Sequence, residues 1–281
     1  MKFGLFKKYG ALNSVPVFES FEQSLKKFDF KYEDNCFDAD VAVIWSVLWN
    51  GRMKDNKIVW DYFRSKNKKV IVLEVGGIQR GHTWKVGLNG VNNSAILGPK
   101  NQSSERAKKL NLNLKDWRKQ GEFILICAQH EKSDQWKNMP KTRDWFLDKY
   151  TQIRKYTDRP IIFRPHPRFP LHYIDKNLKN VYVSTPKKIA GSYDNFDLTF
   201  DRVWITINEN SNPGPQSIIQ GIPAITGKHS LAYSVSEKHI KNIEDPLMPD
   251  RTQWINDYAH TEYTLDEIKQ GVPLEFLTNY L

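Results

Sequence analysis

Residues 202–226 read RVWITINENSNPGPQSIIQGIPAIT, and this stretch decides the fold. Its first apolar run, 202–206, is typical of a buried β-strand. Small and turn-forming residues follow, then a short helix predicted over about 216–220 and a second apolar run at 222–226. The stretch therefore predicts a strand, a turn, a helix and a second strand, which is the local pattern of an α/β protein.

The same alternation recurs along the whole chain. It predicts buried strands and intervening helices on both sides of a polar stretch between residues 98 and 121. The predicted strands are 40–45, 70–74, 123–127, 160–164 and 181–183, and the predicted helices are 55–68, 142–157, 251–259 and 264–270. The expected fold is two Rossmann-like α/β domains that face a central cleft, with a C-terminal helical stretch that crosses back. The expected divisions are 1–118, 119–250 and 251–281.

The composition narrows the class of protein. A chain of 281 residues with 40% hydrophobic residues can bury two domain cores of ordinary size. Two cysteines cannot form a disulfide framework or a four-thiolate zinc site, which favours a reducing compartment. No run of 18 or more apolar residues is present, so neither a membrane span nor secretion is expected. The expected location is the cytoplasm, or the host cytoplasm for a viral protein.

The positive charge is concentrated in the first half of the chain. The net charge is +10, and residues 1–118 hold 21 Lys and Arg against 12 Asp and Glu, which is +9. A general effect on solubility would not separate by domain. The distribution therefore favours a polyanionic partner for the N-terminal domain, with nucleic acid or an acidic surface as the candidates.

Three predicted strand ends in the second half carry polar residues suited to a ligand. Open α/β sheets bind ligands beyond the carboxyl ends of their strands, so these loops are expected to converge. Two prolines stiffen the loop that holds His166, and the start of the predicted helix is suited to phosphate, with Ser211 and Asn212 as expected N-caps. Gly214 is expected to let a ligand approach the backbone closely. The candidate ligand-binding residues are Gln129, Arg164, His166, Arg168, Glu209, Ser211, Asn212, Gly214 and Gln216.

Residues 120–230 resemble the donor-binding domain of GT-B-fold glycosyltransferases, in particular capsule and lipopolysaccharide types with a His-Pro motif and a later serine motif. The sequence RPHP at 164–167 matches the first motif, and SNPG at 211–214 followed by a helix and GIP matches the second. The resemblance implies that His166, Ser211 and Asn212 bind the phosphates of a nucleotide sugar, with UDP favoured. It implies no required cofactor and no metal. The residues that could hold the ribose are Glu209, Glu237 and Glu244, although Glu209 could instead face the sugar.

The best catalytic candidate in the first half is Glu74, at the end of a predicted strand and next to two glycines that would leave space for an acceptor. Glycosyl transfer needs a base that takes the proton of the acceptor hydroxyl, and a carboxylate suits this role. His82 is the second candidate base. Arg80, Trp84 and Lys85 are predicted acceptor contacts, because cations bind phosphates and an aromatic ring stacks.

Three functions fit these patterns. The favoured one is a hexosyltransferase that moves glucose from UDP-glucose to a 5-hydroxymethylpyrimidine such as 5-hydroxymethylcytosine in double-stranded DNA, as in bacteriophage enzymes for DNA modification. The second keeps the same chemistry with a cell-envelope polysaccharide or lipopolysaccharide as acceptor. The third is a non-catalytic module that binds nucleic acid or nucleotides on a degenerate GT-B scaffold.

Overall fold

The computed structural model describes residues 1–171, 178–192 and 195–281. The chain forms two compact units. The first unit contains residues 1–110 and 256–281, and the second contains residues 111–255. The chain therefore leaves the first unit once and returns to it, so that its last 26 residues complete the unit that its first residues begin.

The first unit contains a five-stranded sheet in the order β2-β1-β3-β4-β5. Strands β1 to β4 are parallel, and β5 runs antiparallel to β4 at one edge. The strands are β1 (Lys2–Leu5), β2 (Lys31–Asp34), β3 (Val41–Trp45), β4 (Lys69–Val75) and β5 (Trp84–Leu88). The helices are α1 (Val15–Lys27), α2 (Asn56–Ser65) and α3 (Glu105–Lys109).

Both faces of the first sheet are buried, as the continuous apolar strands predict. Along β3, Val41, Val43 and Trp45 pack into one core cluster, whereas Ala42 and Ile44 pack into another. This separation follows from the two-residue period of a strand, which sends successive side chains to opposite faces. The core on the first face includes side chains of α1 and of the C-terminal helices, and the core on the second includes side chains of α2.

The second unit contains a fully parallel sheet in the order β10-β9-β6-β7-β8. Its central strand β6 sends Ile124 and Ile126 to one face and Leu125 and Cys127 to the other. The strands are β6 (Phe123–Cys127), β7 (Ile161–Arg164), β8 (Val181–Val183), β9 (Val203–Asn208) and β10 (Ala224–Thr226). The helices are α4 (Thr142–Ile153) and α5 (Pro213–Ile219).

Three short helices follow the second sheet: α6 (Thr252–Tyr258), α7 (Leu265–Lys269) and α8 (Val272–Thr278). The boundary between the units falls inside α6, and α7 packs against α1 of the first unit. Arg106 of α3 stabilises the position of residues 259–267. Its guanidinium donates hydrogen bonds to the Glu267 carboxylate (2.8 Å) and to the backbone carbonyls of Ala259 and Glu262 (2.7 Å each). The predicted return of the C-terminal stretch is confirmed.

The predicted α/β class with two Rossmann-like domains is confirmed, although several elements were missed. The elements that the sequence patterns did not predict are β1, α1, β2, β5, α3 and α8. The helix predicted over 216–220 begins earlier, at Pro213. None of the helices in the described part of the chain is both long and apolar enough to cross a membrane.

Candidate functional site

In the second unit the carboxyl ends of four strands lie side by side. Cys127 at the end of β6 pairs with Arg164 at the end of β7, and Asn208 at the end of β9 pairs with Thr226 at the end of β10. The chain runs from β6 outward to β7 and from β9 outward to β10, so the topological switch point lies between β6 and β9. Ligands of open α/β sheets bind in the crevice at this point.

Two histidines lie close together in the loops that follow β6 and β7. The ring centroids of His130 and His166 are 5.3 Å apart, and Phe169 packs against His130 at 4.9 Å. Each histidine Nδ1 accepts a backbone N–H at 3.1 Å, from Lys132 for His130 and from Arg168 for His166. The neutral form of each ring therefore carries its proton on Nε2, which becomes a donor.

Three buried polar atoms at this strand edge have no hydrogen-bond partner in the described part of the chain: His130 Nε2, Gln129 Oε1 and Asn208 Oδ1. Their side chains belong to residues that are 2%, 5% and 1% exposed. Burial lowers the pKa of His130, the charges of Lys132 and Arg168 lower it further, and Glu131 opposes them. An unpaired buried polar group is costly and rare in a folded protein, so each of these atoms is a candidate partner for a polar ligand.

The two candidate arginines are placed differently. The guanidinium of Arg164 donates to the backbone carbonyl and the carboxylate of Asp197, and its side chain is 11% exposed. Arg168 is exposed on the loop after β7, and its backbone N–H fixes the His166 ring. The pairing with Asp197 leaves less of Arg164 available to a ligand. Donor binding by either arginine stays a prediction.

The serine motif does not cap its helix in the expected way. Asn212 is the N-cap of α5 but makes no side-chain capping bond, and Pro213 occupies the first helical position. The Asn208 amide donates to the Ser211 carbonyl (2.8 Å) and hydroxyl (3.2 Å). A Cβ on Gly214 would lie 2.7 Å from Asn208 Oδ1. The Asn208 side chain therefore occupies the position that a Cβ on Gly214 would take, and ligand contact with the Gly214 backbone stays a prediction.

The remaining candidates of this motif lie near the same edge. Gln216 is in the middle of α5 and is partly buried, and its role as a donor contact stays a prediction. Glu209 directly follows β9, and its carboxylate accepts a hydrogen bond from Trp145 Nε1 of α4 at 2.7 Å. A pocket of about 740 Å³ opens beside it, lined by α4, by the ends of β9 and β10 and by residues 238–241. Glu209 thus borders a space that could hold a ligand.

The other two candidate ribose ligands have structural partners. The Glu237 carboxylate accepts backbone N–H groups of Lys238, His239 and Leu247 at 2.7, 2.8 and 3.2 Å. Glu244 forms a two-pronged ion pair with Arg159, with the shortest distance 2.8 Å. Both carboxylates hold loops of the second unit in place, which leaves Glu209 as the acidic candidate at the strand edge.

In the first unit, Glu74 lies near the carboxyl end of β4 and is partly buried. Its Oε2 accepts the Ser46 hydroxyl at 2.5 Å and its Oε1 accepts the Val75 N–H at 2.8 Å. Burial raises the pKa of Glu74, while these two hydrogen bonds and the charges of Arg80 and Lys85 act against the rise. A carboxyl group with a raised pKa is a stronger base when ionised, which is what proton transfer near neutral pH needs.

The predicted acceptor contacts near Glu74 differ in exposure. Trp84 and Lys85 lie in β5, where they are 8% and 3% exposed, and the Lys85 ammonium donates to Asn92 Oδ1 at 3.0 Å. Burial lowers the pKa of Lys85. Arg80 is partly buried and contacts the Gly76 carbonyl at 3.4 Å, whereas His82 is exposed on a turn. Acceptor contact by the first three and catalysis by His82 stay predictions.

Gly76, which lies next to this site, packs closely against the returning C-terminal segment. A Cβ on Gly76 would lie 2.3 Å from both Glu262 Oε2 and the Thr83 carbonyl. Glu262 comes from the returning C-terminal segment and is fully buried, and its carboxylate accepts the N–H groups of Gly77 (2.7 Å) and Ile78 (2.9 Å). The carboxylate that anchors this loop therefore occupies the position that a Cβ on Gly76 would take, and space for an acceptor beside the two glycines stays a prediction.

Three residues of these sites were not predicted from the sequence: Ser46, His130 and Glu262. His130 stands in the polar loop after β6 and was visible as a strand-end histidine, but Ser46 and Glu262 had no local signal. Across residues 1–171, 178–192 and 195–281, no group of three or more His, Cys, Asp or Glu side chains could hold a metal ion.

The two α/β units define a GT-B-like fold, and the comparison with solved structures gives the same class. The chain is similar to the beta Kdo 2,7 transferase of KpsC from Thermosulfurimonas dismutans, with a TM-score of 0.52 and 14% identity over 98% of this chain and all of that one. It is also similar to the beta Kdo 2,4 transferase of the same KpsC, with a TM-score of 0.50 and 11% identity over 93% of this chain and 90% of that one.

Two comparisons that use the sequence alone found no match. No protein-family model matches it, and a search of curated proteins finds no match. At these identities the structural likeness shows the fold. Neither similar structure is described as acting on DNA.

Proposed function

We propose that this protein is a glycosyltransferase whose second unit binds a nucleotide-activated sugar and whose first unit provides the base. In this reaction the acceptor oxygen forms a bond to the anomeric carbon and the bond between that carbon and the phosphate oxygen breaks. The acceptor proton goes to Glu74, and the nucleotide leaves with the electron pair of the broken bond. The GT-B-like fold supports this class of reaction.

The observation that carries the proposal is the buried, unpaired Nε2 of His130 in the loop after β6, beside His166 in the loop after β7. His130 Nε2 offers a donor, and Gln129 Oε1 and Asn208 Oδ1 offer acceptors. A nucleotide sugar has phosphate oxygens for the donor and sugar hydroxyls or base N–H groups for the acceptors. A hydrogen bond from an imidazole to phosphate is charge-assisted, and it stabilises the leaving group as negative charge develops.

For the sugar and the acceptor, we propose an acidic saccharide of the cell envelope, with Kdo as the first candidate. The two similar structures are named as Kdo transferases, and Kdo carries a carboxylate. The positive charge of residues 1–118 favours anionic substrates. Near Glu74, the positive charges of Arg80 and Lys85 also favour negatively charged groups.

DNA with a 5-hydroxymethylpyrimidine is the second candidate acceptor. The observation that favours it is the same segregation of charge, +9 in residues 1–118 against +1 in the rest. Sequence-independent binding to DNA rests on such charge and weakens steeply as salt rises. The fold is compatible with either acceptor, so the two are separated by experiment.

The test is a transfer assay with the full chain and two donors, nucleotide-activated Kdo and UDP-glucose. The acceptors are a Kdo-terminated oligosaccharide and duplex DNA with cytosine, 5-hydroxymethylcytosine or 5-hydroxymethyluracil, and the products are weighed by mass spectrometry. Gain of a Kdo mass on the oligosaccharide, lost in Glu74→Gln, supports the envelope function. Gain of a hexose mass on one hydroxymethylated base supports the DNA function. Nucleotide binding without transfer to any acceptor would favour the non-catalytic module, and no nucleotide binding at all would refute the proposal.

A further inference from the structure

Ser46, which lies beside Glu74, has an unusual backbone conformation for a serine. It directly follows β3, is 3% exposed and has φ = +63°. Residues other than glycine, asparagine and aspartate rarely adopt this left-handed conformation, because Cβ crowds the backbone. Such strain persists only where the surroundings impose it, and it is concentrated at functional sites.

The register of the sheet brings Ser46 beside Glu74. Strands β3 and β4 are parallel with Trp45 opposite Leu73, so the next residues along each strand, Ser46 and Glu74, lie at the same level. The Ser46 N–H donates to the Leu73 carbonyl at 2.8 Å, which continues the ladder by one residue. The serine is thus held by the sheet while its side chain reaches the neighbouring strand.

The hydrogen bonds fix the direction of the serine hydroxyl. Ser46 Oγ accepts the Leu48 N–H at 3.1 Å, and it donates its hydrogen to Glu74 Oε2 at 2.5 Å. The other carboxylate oxygen of Glu74 accepts the Val75 N–H. Each oxygen of the carboxylate therefore has one donor, and because an ionised carboxylate has about four acceptor sites, capacity remains for a further proton.

We propose that Ser46 is a positioning residue for the transfer reaction, which orients the Glu74 carboxylate and keeps it ionised so that it can accept the proton of the acceptor hydroxyl. This inference rests on the proposed function for its catalytic consequence. The charged groups around Glu74 are Arg80 on the loop after β4 and Lys85 on β5, and Glu262 acts on Lys85 in turn. Ser46 is the neutral donor that β3 adds to this set.

The opposing interpretation is that Ser46 only turns the chain after β3 by accepting the Leu48 N–H. Both interpretations predict lower stability when the hydroxyl is removed, so stability does not separate them. The pH dependence does, because a hydrogen bond to the ionised form of a carboxylate lowers its pKa. Loss of that bond alone should move the titration of Glu74 to higher pH.

The test uses Ser46→Ala, which keeps Cβ at positive φ, and Ser46→Gly, which removes the same hydroxyl and relieves the backbone. Ser24→Ala is the matched control, because Ser24 is fully buried in α1 of the same unit and its hydroxyl donates to the Phe21 carbonyl at 2.6 Å. We expect both Ser46 variants to lower kcat about tenfold to hundredfold with nucleotide affinity unchanged. The acid limb of the rate profile should move to higher pH, and Ser24→Ala should leave kcat and the profile as in the wild type.

A second readout does not depend on turnover. The Glu74 carboxyl carbon, labelled with ¹³C and assigned with Glu74→Gln, is titrated by NMR in the wild type and in both Ser46 variants. A midpoint that rises in both variants supports the inference even if no donor is turned over, in which case only the proposed function fails. An unchanged midpoint, or an unchanged pH profile with normal kcat, would overturn the role of Ser46.

Discussion

The substitution His130→Asn tests whether the buried histidine holds the donor. The asparagine Oδ1 lies about where the imidazole Nδ1 lies, so it can still accept the Lys132 N–H, but the Nε2 donor is lost. A hydrogen bond to a charged group contributes roughly 1.5–3 kcal/mol, so we expect nucleotide affinity to fall about 10- to 150-fold. Isothermal titration calorimetry with UDP, CMP and GDP measures this directly, with the tightest-binding nucleotide used for the comparison.

The unliganded fold should lose little in the same variant. An unpaired buried N–H costs roughly 1–3 kcal/mol, and its removal offsets part of the lost packing against His166 and Phe169. We therefore expect the free energy of unfolding in urea to change by less than about 1 kcal/mol. His130→Gln should recover part of the affinity, because the glutamine Nε2 can donate from about the same position as the imidazole Nε2.

Thr206→Val is the matched control for this experiment. Thr206 Oγ1 is also buried without a partner in the described part of the chain, but it lies inside β9, two residues before the strand ends. Valine has nearly the same shape, so nucleotide affinity should stay as in the wild type. If His130→Asn binds nucleotide normally and loses several kcal/mol of stability, His130 is a structural residue and the argument from its unpaired donor is refuted.

Three further predictions concern the first unit. Glu74→Gln should abolish detectable transfer while nucleotide affinity stays normal, and transfer within about tenfold of the wild-type rate would remove Glu74 as the base. Glu262→Ala should lower the free energy of unfolding, measured in urea, by about 3–5 kcal/mol, because the variant loses a buried carboxylate that accepts two backbone N–H groups. A change below about 1 kcal/mol would contradict the role of Glu262 as the anchor of this loop. Burial raises the pKa of Glu267, but hydrogen bonds from the Arg106 guanidinium and the Thr264 N–H more than offset this rise, so the pKa of Glu267 is lowered to about 2. The ion pair with Arg106 therefore stabilises the fold above pH 4.5, and this contribution is lost as the pH falls toward 2. Urea unfolding of the wild type should show a loss of roughly 2–3 kcal/mol over that window, and Glu267→Gln should remove this part of the pH dependence.

The elements that could be predicted from the sequence are those that contain a continuous run of apolar residues. The strands β3 and β6 are continuous apolar runs, and the structure has them within one residue of the predicted limits. In contrast, β1 has only four residues and stands among lysines, and β5 has only three apolar residues, which alternate with Lys85 and Gly87, residue types that are uncommon in strands. Both strands are stabilised mainly by their neighbours in the sheet, which a local pattern does not contain.

The candidate sites were predicted in outline, as polar loops at strand ends, but not in their contacts. Gly76 and Gly214 were expected to leave room for ligands, and nothing in the sequence indicated that each has a side chain of the protein packed against it. The carboxylate beside Gly76 comes from Glu262, which is 186 residues away in the sequence. The left-handed conformation of Ser46 also has no signal in the residue type, because serine usually avoids it.

The return of the chain to its first unit has a consequence for synthesis on the ribosome. Residues 111–255 are continuous and can form their sheet as soon as they have emerged. The first unit is still without α7, which packs on α1, and without Glu262, which anchors the loop after β4. One apolar face of α1 therefore stays uncovered while 145 further residues are made. During this interval the uncovered face of α1 is exposed to aggregation and to chaperones.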